Sequence, residues 1–367
     1  MPRRVVFDHW LFFTVALLAI FGVFIVGSAS GYMAMSDRGD PTAYLLRQGA
    51  FLVLGMLMLV GAMSFRYQRL SSKPLLLGLF AVCVISLLTV LAMPAINGAS
   101  RWIPIGPLRL QPSEFVKIFS VIFMSYMLSR REAVLNEARK FLLPCGIVLG
   151  LLCYLIVIEP DLGSVVLIGG IAATMTFVAG LKWKNVAIVM ALGAVLFVAM
   201  IAIKPYRQDR IHDYFDTLID PSLKAAGATT QLGQSLIAVG SGGVGGVGFG
   251  SGQQKAFFVS DTHTDFIFSV VGEELGMIGA ITLLGAYLLI FWRGLRTAAR
   301  APDRFGFYLA LGITLLLVLQ SLVNMCVCLG LLPTKGLTLP FISYGGSSLL
   351  ATMTSAGLLL NVSQQSN

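Results

Sequence analysis

Ten stretches of about 20 mostly apolar residues, separated by polar segments, constrain this chain more than any other feature. A helix needs about that length to cross the hydrocarbon core of a bilayer. Of the 367 residues, 57% are hydrophobic and only 12% are charged, whereas about a quarter of the residues of a soluble domain are charged. The sequence therefore predicts an all-α integral membrane protein with ten transmembrane helices. The approximate limits of the predicted spans are 8–30, 47–64, 72–93, 111–129, 142–158, 162–180, 184–204, 264–292, 306–330 and 345–362.

The positions of lysine and arginine predict how these helices are oriented. If the N-terminus is cytoplasmic, every internal cytoplasmic loop is basic. Ten spans then place both termini in the cytoplasm and leave one large extracytoplasmic loop, about 205–263, between helices 7 and 8. We expect residues 1–367 to form a single polytopic membrane domain. The net charge of +9 does not indicate nucleic-acid binding, because in a membrane protein the placement of charges matters more than their sum.

A cluster of ionisable residues, VSDTHTDFIFSVVGEELG at 259–276, lies at the outer mouth of the eighth span. Ionisable residues in or near lipid are costly and indicate a functional site. Asp265 could act as a general base toward a hydroxyl, or Asp265 or Thr264 could simply cap the helix. His263 could relay protons, contact phosphate or be an interfacial polar residue.

Two further groups of charged residues lie within predicted spans. Glu273 and Glu274 are adjacent and so point to different sides of their helix. Each could pair with a cation or share a proton, or make a packing hydrogen bond. Glu114 and Lys117 are spaced to meet on one helix face, where they could form a structural ion pair or present Lys117 to an anionic substrate.

The outer connections carry the remaining candidates. Arg101 and Trp102 could contact phosphate or sugar, or Trp102 could be an ordinary interfacial aromatic residue. Asp161 could cap the sixth span, or the acidic turn around it could hold a cation or a basic partner. The glycine run 240–252 follows no predicted strand, so we expect a flexible loop instead of a dinucleotide site. Residues 337–341 are apolar yet bracketed by Pro333, Pro340 and a glycine pair, which predicts a re-entrant or interfacial segment packed against protein or a wet cavity.

Five motifs, taken together, resemble one family. The chain is similar to the SEDS family (shape, elongation, division, sporulation), and to its cell-division branch, FtsW, more than to its elongation branch, RodA. The resemblance runs from about the first span to the last, with the motifs in matching order. The motifs are ASRWIPIG, QPSEFVK, EPDLGS, HTDFIFSVVGEELG and LPFISYGGSS.

This resemblance implies a peptidoglycan glycosyltransferase that polymerises lipid II into β-1,4 glycan strands at the outer face of the cytoplasmic (inner) membrane, in septal cell-wall synthesis. It assigns catalysis to Asp265. The residues that it implies for substrate binding are Arg101, Trp102, Glu114, Lys117, Asp161, His263, Thr264, Ser343 and Tyr344. Those that it implies for structural support are Glu273, Glu274, Gly345 and Gly346.

The resemblance also implies a divalent cation, Mg²⁺ or Mn²⁺, with no ligands assigned, and no organic cofactor. The implied partners are lipid II, the growing glycan strand, a class B penicillin-binding protein (a transpeptidase) and other division proteins, with no nucleic acid. Two alternatives are a lipid II flippase and a non-catalytic division scaffold. A transporter places its site near the bilayer midplane, whereas most ionisable residues here lie at the outer mouth. That asymmetry favours chemistry at the outer face.

Overall fold

The structure is a computed structural model. It describes residues 7–38, 40, 42–93, 100–106, 108–131, 135–188, 231–252, 264–334 and 336–366, together with residues 191, 193, 198, 208, 212, 214 and 215. Most of the predicted seventh span, 184–204, and most of the predicted loop, 205–263, lie outside the described residues.

Ten α-helices and one two-stranded hairpin make up the described residues. The helices are α1 (His9–Arg38), α2 (Ala43–Ser64), α3 (Lys73–Leu91), α4 (Pro112–Arg131), α5 (Leu143–Ile158), α6 (Leu162–Val178), α7 (Gln231–Gly242), α8 (Ile267–Ala299), α9 (Arg304–Cys328) and α10 (Gly346–Gln364). Short 3₁₀ and π turns cover Tyr67–Ser71 and Ala138–Leu142. The antiparallel hairpin joins β1 (Ile103–Ile105) to β2 (Leu108–Leu110). The expected all-α class therefore holds apart from this hairpin, which the apolar pattern does not predict.

Helices occupy nine of the ten predicted spans in the part of the chain that the structure describes. Six described helices are long and apolar enough to cross a membrane, namely α1, α2, α3, α5 with the turn before it, α8 and α9. The hydropathy of the sequence predicts these helices correctly, because an apolar run of this length satisfies its backbone polar groups internally as a helix.

Helix α9 is the centre of the bundle. Its apolar window is 78% buried, against 22% for α2 and for α3. Helices α4, α6, α8 and α10 pack around it. A helix that is apolar on all sides and enclosed by protein can carry polar side chains only where they find protein partners. The polar residues of α9 are therefore informative about the site described below.

Three aspartates fix the starts of helices α1, α6 and α9. Asp8, Asp161 and Asp303 each accept a hydrogen bond from the backbone amide three residues further on, at 3.0, 3.1 and 2.7 Å. Such caps satisfy amides that have no partner within the helix. They set the places at which the chain turns between helices.

Helix α8 is broken at Gly276, where φ is +63° and ψ is −158°. The turns before the break, residues 267–274, are all buried. Beyond the break, Met277 and Ile278 are 52% and 61% exposed. The helix thus consists of a short first part enclosed by protein and a longer second part with an apolar exposed face.

The glycine run closes this break. Residues 243–248, which we call the glycine splint, exchange four backbone hydrogen bonds with α8. The amides of Val247 and Gly248 donate to the carbonyls of Glu273 and Glu274 at 3.0 and 3.1 Å, and the amides of Met277 and Ile278 donate to the carbonyls of Gly243 and Val244 at 3.0 and 3.2 Å. The expectation of a flexible loop is wrong here, because backbone groups exposed at a helix break need partners in an apolar setting.

The segment before α10 is packed against protein, as predicted. Leu337, Leu339 and Phe341 are all buried. Tyr287 of α8 donates its hydroxyl to the carbonyl of Pro340 at 2.5 Å. On the other side, a Cβ placed on Gly22 of α1 would lie 2.5 Å from the carbonyl oxygen of Phe341. Glycine in α1 therefore allows the helix to approach this irregular backbone closely.

Candidate active site

Asp265 lies in the turn that leads into α8, and it is partly exposed. The helix begins at Ile267 with Phe266 at the N-cap position, and Phe266 makes no side-chain cap hydrogen bond. The N-cap position thus falls on neither Asp265 nor Thr264. A carboxylate with solvent access is suited to proton transfer with a ligand.

The backbone on both sides of this carboxylate is held by two buried polar side chains. The hydroxyl of Ser343 donates to the carbonyl of Thr264 at 2.5 Å. The amide of Asn324, on α9, donates to the carbonyl of Asp265 at 2.7 Å and to that of Leu337, also at 2.7 Å. Asn324 of the central helix and Ser343 of the segment before α10 thus fix the backbone at Asp265.

Arg101 approaches the same place from the segment before β1. A Cβ placed on Gly336 would lie 3.1 Å from Oδ2 of Asp265 and 3.7 Å from Nη1 of Arg101. Gly336 itself is exposed. The structure therefore brings a carboxylate and a guanidinium to one open position, with only a glycine between them.

The guanidinium of Arg101 is held by the turn between α5 and α6. Its Nε donates to the carbonyl of Glu159 at 3.0 Å, and its Nη2 donates to that of Pro160 at 2.6 Å. These bonds use the edge of the guanidinium that faces away from Gly336. The Glu159 side chain is only 1% exposed, and neither of its oxygens has a hydrogen-bond partner among the described residues. Burial, helped by the nearby Asp161 carboxylate and opposed by Arg101, raises the pKa of Glu159 to about 8.

Asp161 is used within the protein. Its Oδ2 accepts hydrogen bonds from the hydroxyls of Ser113 at 3.1 Å and Ser164 at 2.7 Å, in addition to the helix cap. The capping interpretation is therefore supported, and a contact of Asp161 with substrate stays a prediction.

Glu114 and Lys117 form the ion pair that their spacing predicts. Nζ of Lys117 lies 2.8 Å from Oε1 of Glu114, and both side chains are almost fully buried. Nζ also donates to Oε1 of Gln320 on α9 at 2.8 Å, and Gln320 in turn donates to the carbonyl of Thr338 at 2.9 Å. This buried network runs under the segment that carries Gly336. The geometry supports the structural interpretation of the pair, and substrate contact stays a prediction.

Glu273 and Glu274 lie just before the break in α8, and both are buried. Ser28 of α1 donates its hydroxyl to Oε1 of Glu274 at 2.6 Å. A Cβ placed on Gly252 would lie 2.8 Å from Oε2 of Glu273. The two carboxylates therefore face α1 and the glycine-rich segment, and their structural role stays a prediction.

The three residues after Ser343, namely Tyr344, Gly345 and Gly346, differ in how closely they pack against other helices. Tyr344 packs edge-to-face on Tyr44, with ring centroids 5.2 Å apart. A Cβ on Gly346 would lie 2.2 Å from the ring of Phe51, so α10 can approach α2 only with glycine there. A Cβ on Gly345 would make only an ordinary contact, 3.6 Å from Cβ of Ser348. The geometry thus supports a structural role for Gly346 more than for Gly345.

Two predicted site residues, Trp102 and His263, remain to be placed, and so does the expected metal. Trp102 follows Arg101 and is partly exposed, whereas His263 lies outside the described residues. Among the described residues, no three His, Cys, Asp or Glu side chains gather at one point. Those residues alone therefore do not fit a metal centre built by the protein.

Comparison with known proteins decides the family. A family model described as "Cell cycle protein", for FtsW, RodA and SpoVE, matches residues 8–367. The chain belongs to the FtsW/RodA/SpoVE family. It is 41% identical over 365 residues to the probable peptidoglycan glycosyltransferase FtsW of Geobacter metallireducens, covering 97% of this chain and 94% of the relative. It is 40% identical over 358 residues to the protein of that name from Nitrosococcus halophilus, covering 95% and 89%.

Solved structures of similar proteins agree. The rod shape-determining protein RodA of Thermus thermophilus is 29% identical, with a TM-score of 0.71 and coverage of 99% of this chain and 98% of RodA. A chain from a peptidoglycan synthase complex, solved to show structural coordination of polymerization and crosslinking, is also 29% identical. Its TM-score is 0.79, with 98% of each chain covered.

In this member of the FtsW/RodA/SpoVE family, sequence reasoning missed three residues that build the site. Gln320 and Asn324 are buried polar residues of α9, and their i, i+4 spacing on a largely apolar helix was a usable signal. Gly336 stands between the two charged side chains, and nothing in its sequence neighbourhood marks it out. Its position depends on tertiary contacts alone.

Proposed function

We propose that this chain is a peptidoglycan glycosyltransferase that polymerises lipid II into β-1,4 glycan strands, with Asp265 as the general base. Membership of the FtsW/RodA/SpoVE family and relatives named peptidoglycan glycosyltransferase FtsW support the activity. The observation that carries the site is the convergence of Asp265 and Arg101 on Gly336. It combines a proton acceptor with a fixed positive charge at one open position.

In the proposed reaction, the 4-hydroxyl of the N-acetylglucosamine of lipid II is the acceptor. Its oxygen attacks the anomeric carbon of the growing strand as the Asp265 carboxylate takes its proton. The new C–O bond forms as the bond between that carbon and the diphosphate-lipid breaks, and the diphosphate leaves with the electron pair. Attack from the opposite side inverts an α-linked donor to a β-1,4 product.

Arg101 is the residue that we assign to the charge of the leaving diphosphate. A positive group that is already fixed in place stabilises developing negative charge without reorganising during the reaction. The two carbonyls that hold Nε and Nη2 of Arg101 provide this fixation. Trp102, His263, Thr264, Ser343 and Tyr344 complete the proposed substrate site, and Glu114, Lys117 and Asp161 support it from within the protein.

The same proposal includes the arrangement in the membrane. Ten spans place both termini in the cytoplasm and the segments around Asp265 outside, within one polytopic domain that has a large extracytoplasmic loop, about 205–263. The apolar exposed faces of α2, α3 and α8 support insertion in a bilayer. We place the protein in the cytoplasmic membrane at the division septum. Its proposed partners are a class B penicillin-binding transpeptidase and other division proteins.

A divalent cation, Mg²⁺ or Mn²⁺, belongs to the proposal as a companion of the substrate diphosphate. Such ions are commonly bound by one or two carboxylates together with substrate phosphates. No step described above depends on it.

The test is a polymerisation assay with lipid II. We would purify the full chain, with and without a co-expressed transpeptidase partner, supply Mg²⁺ or Mn²⁺, and resolve the glycan products on a gel. Wild-type protein should give a ladder of strands and Asp265→Asn should give none, although it inserts and folds normally. Asp40→Asn is the matched control, because Asp40 is an exposed aspartate whose Oδ1 accepts hydrogen bonds from the amide and hydroxyl of Thr42; it should polymerise as wild type does.

Two results would contradict the proposal. A ladder from Asp265→Asn would remove Asp265 from the reaction. No ladder from wild type with its partner, together with passage of lipid II across liposome membranes, would favour the flippase instead.

A further inference from the structure

A basic cavity lies at the opposite end of α8 from Asp265. It has a volume of about 240 Å³ and opens between the start of α1, the last turns of α8 and the end of α10. Three arginines line it, Arg293, Arg296 and Arg300. Their spacing of three and four residues places them on one face of α8. The proposed reaction makes no use of this cavity.

The charges of the cavity do not balance. Asp8 is the one acidic residue among those that line it. It is committed to Arg293, with Oδ2 lying 2.7 Å from Nε and 2.6 Å from Nη2. Arg296 and Arg300 add two further positive charges, and both are exposed. The cavity therefore has a net positive charge and room for an anion.

The wall of the cavity is held in place by the protein. Besides binding Arg293, Asp8 caps α1 through its Oδ1, and its backbone amide donates to the hydroxyl of Ser363 on α10 at 3.2 Å. Three helices are thus joined at one aspartate. Arg293 is positioned before any ligand arrives, so an anion would meet an organised group.

Two tryptophans show where this cavity lies relative to lipid. Trp10 lines it and is 67% exposed, and Trp292 beside it is 59% exposed. The guanidinium carbon of Arg293 lies 5.7 Å from the centre of the Trp292 ring. Exposed apolar residues, among them Phe13 and Leu288, continue along the same helices. Tryptophan next to charge is typical of the headgroup level of a bilayer, so the cavity is suited to a ligand with a charged headgroup and an apolar tail.

We propose that this cavity is a binding site for a phosphate group, and that in the membrane the phosphate belongs to an anionic phospholipid. Arginine is well matched to phosphate oxygens because its N–H donors form a planar fork. Basic pockets between membrane helices on the cytoplasmic side suit anionic headgroups. The acyl chains of the lipid would lie along the apolar faces next to Trp10 and Trp292. The proposed topology puts the site in the cytoplasmic leaflet.

The test compares lipids that differ only in headgroup. The full chain, purified in detergent, would be titrated with phosphatidylglycerol, with phosphatidylcholine of the same acyl chains, and with inorganic phosphate. Bound lipid would be counted by native mass spectrometry, and the unfolding temperature would be measured in parallel. We expect retained phosphatidylglycerol and a raised unfolding temperature, with a smaller effect of phosphatidylcholine.

Paired variants locate the site. Arg296→Ala with Arg300→Ala should weaken phosphatidylglycerol binding by about tenfold or more, because two charge-assisted contacts are lost. Lys182→Ala with Lys184→Ala is the matched control. It also removes two exposed charges from a loop predicted to be cytoplasmic, and it should leave binding unchanged.

Three results would overturn the proposal. Equal binding of the two lipids would show that the cavity does not recognise the negative charge of the headgroup. Undiminished binding by the arginine double variant would place the lipid elsewhere. Stabilisation by inorganic phosphate equal to that by phosphatidylglycerol would assign the cavity to a free phosphate and remove the lipid.

Discussion

Asp265 and Arg101 face each other across Gly336, whose missing side chain leaves the space between the carboxylate and the guanidinium open. A single methyl group at Gly336 would lie 3.1 Å from Oδ2 of Asp265. That separation is closer than carbon and oxygen atoms normally approach. The two charged groups, which come from distant parts of the chain, therefore share a position that only glycine leaves accessible.

The first prediction follows from this contact. Gly336→Ala should lower the rate of glycan polymerisation by about tenfold to a hundredfold, because small displacements of a reacting group have effects of that size. Folding should be preserved, since Gly336 is exposed. The control is Gly240→Ala, where a Cβ meets nothing within 4 Å. Equal ladders from both variants would show that the space at Gly336 is not needed.

The second prediction concerns the glycine splint. A Cβ on Gly246, which has a φ of +80°, would lie 2.1 Å from the carbonyl oxygen of Glu274. Gly246→Ala should therefore destabilise the protein by about 2 kcal/mol or more. The neighbouring Gly245→Ala places its Cβ in open space, and it should unfold at the wild-type temperature. Thermal unfolding followed by fluorescence would measure both. Equal stability of the two variants would mean that the splint is not held as described.

The third prediction separates two roles of Lys117. Lys117→Met should destabilise the protein by about 3 kcal/mol, because it leaves Glu114 buried without its cation. The double variant Lys117→Met with Glu114→Gln should recover most of that stability and, with it, polymerisation. As a control, Lys140→Met breaks an exposed i, i+3 pair with Glu137 and should cost about 1 kcal/mol or less. A stable but inactive double variant would instead assign Lys117 a direct part in binding substrate.

The fourth prediction concerns pH. The pKa of Glu159 is raised from 4.5 to about 8. At pH values between these two, the folded protein therefore holds a proton on Glu159 that the unfolded chain has lost. Stability should therefore fall as pH rises from about 5 to 8, by at most about 1.4 kcal/mol per pH unit. Glu159→Gln should flatten this dependence and unfold at a higher temperature than wild type at pH 8. Glu137→Gln, at an exposed carboxylate, should keep the wild-type slope.

An unchanged slope in Glu159→Gln would show that the carboxyl is solvated or paired in the native protein. The slope should be measured as the unfolding temperature of detergent-solubilised protein at several pH values, with ionic strength held constant because surface charges are screened by salt.

Apolar runs in the sequence predict most helices of the fold, because in a membrane the length of an apolar run and its backbone hydrogen bonding impose the same structure. The stretch predicted at 72–93, for example, is the helix Lys73–Leu91. The same reasoning fails at Gly276. Hydropathy averages over a window of residues and contains no information on φ, so a break that the glycine splint repairs looks like one continuous span.

The candidate site divides in a similar way. Asp265, Arg101 and the pair Glu114–Lys117 can be identified individually, because charged residues next to apolar runs need a reason. Their convergence cannot be predicted, because the segments that carry them meet only in the tertiary structure. Gln320 shows the limit most clearly. It is a polar residue in a largely apolar helix, and its partners Lys117 and Thr338 come from two other segments of the chain.

The glycine splint precedes the helix that it completes, and this order matters during synthesis. Residues 243–248 leave the ribosome before residues 273–278, so the donors and acceptors for the break already exist when the break is made. The two segments are only about thirty residues apart, which keeps the entropy cost of closing the loop small. The backbone groups at the break can thus be paired as soon as residues 273–278 are made.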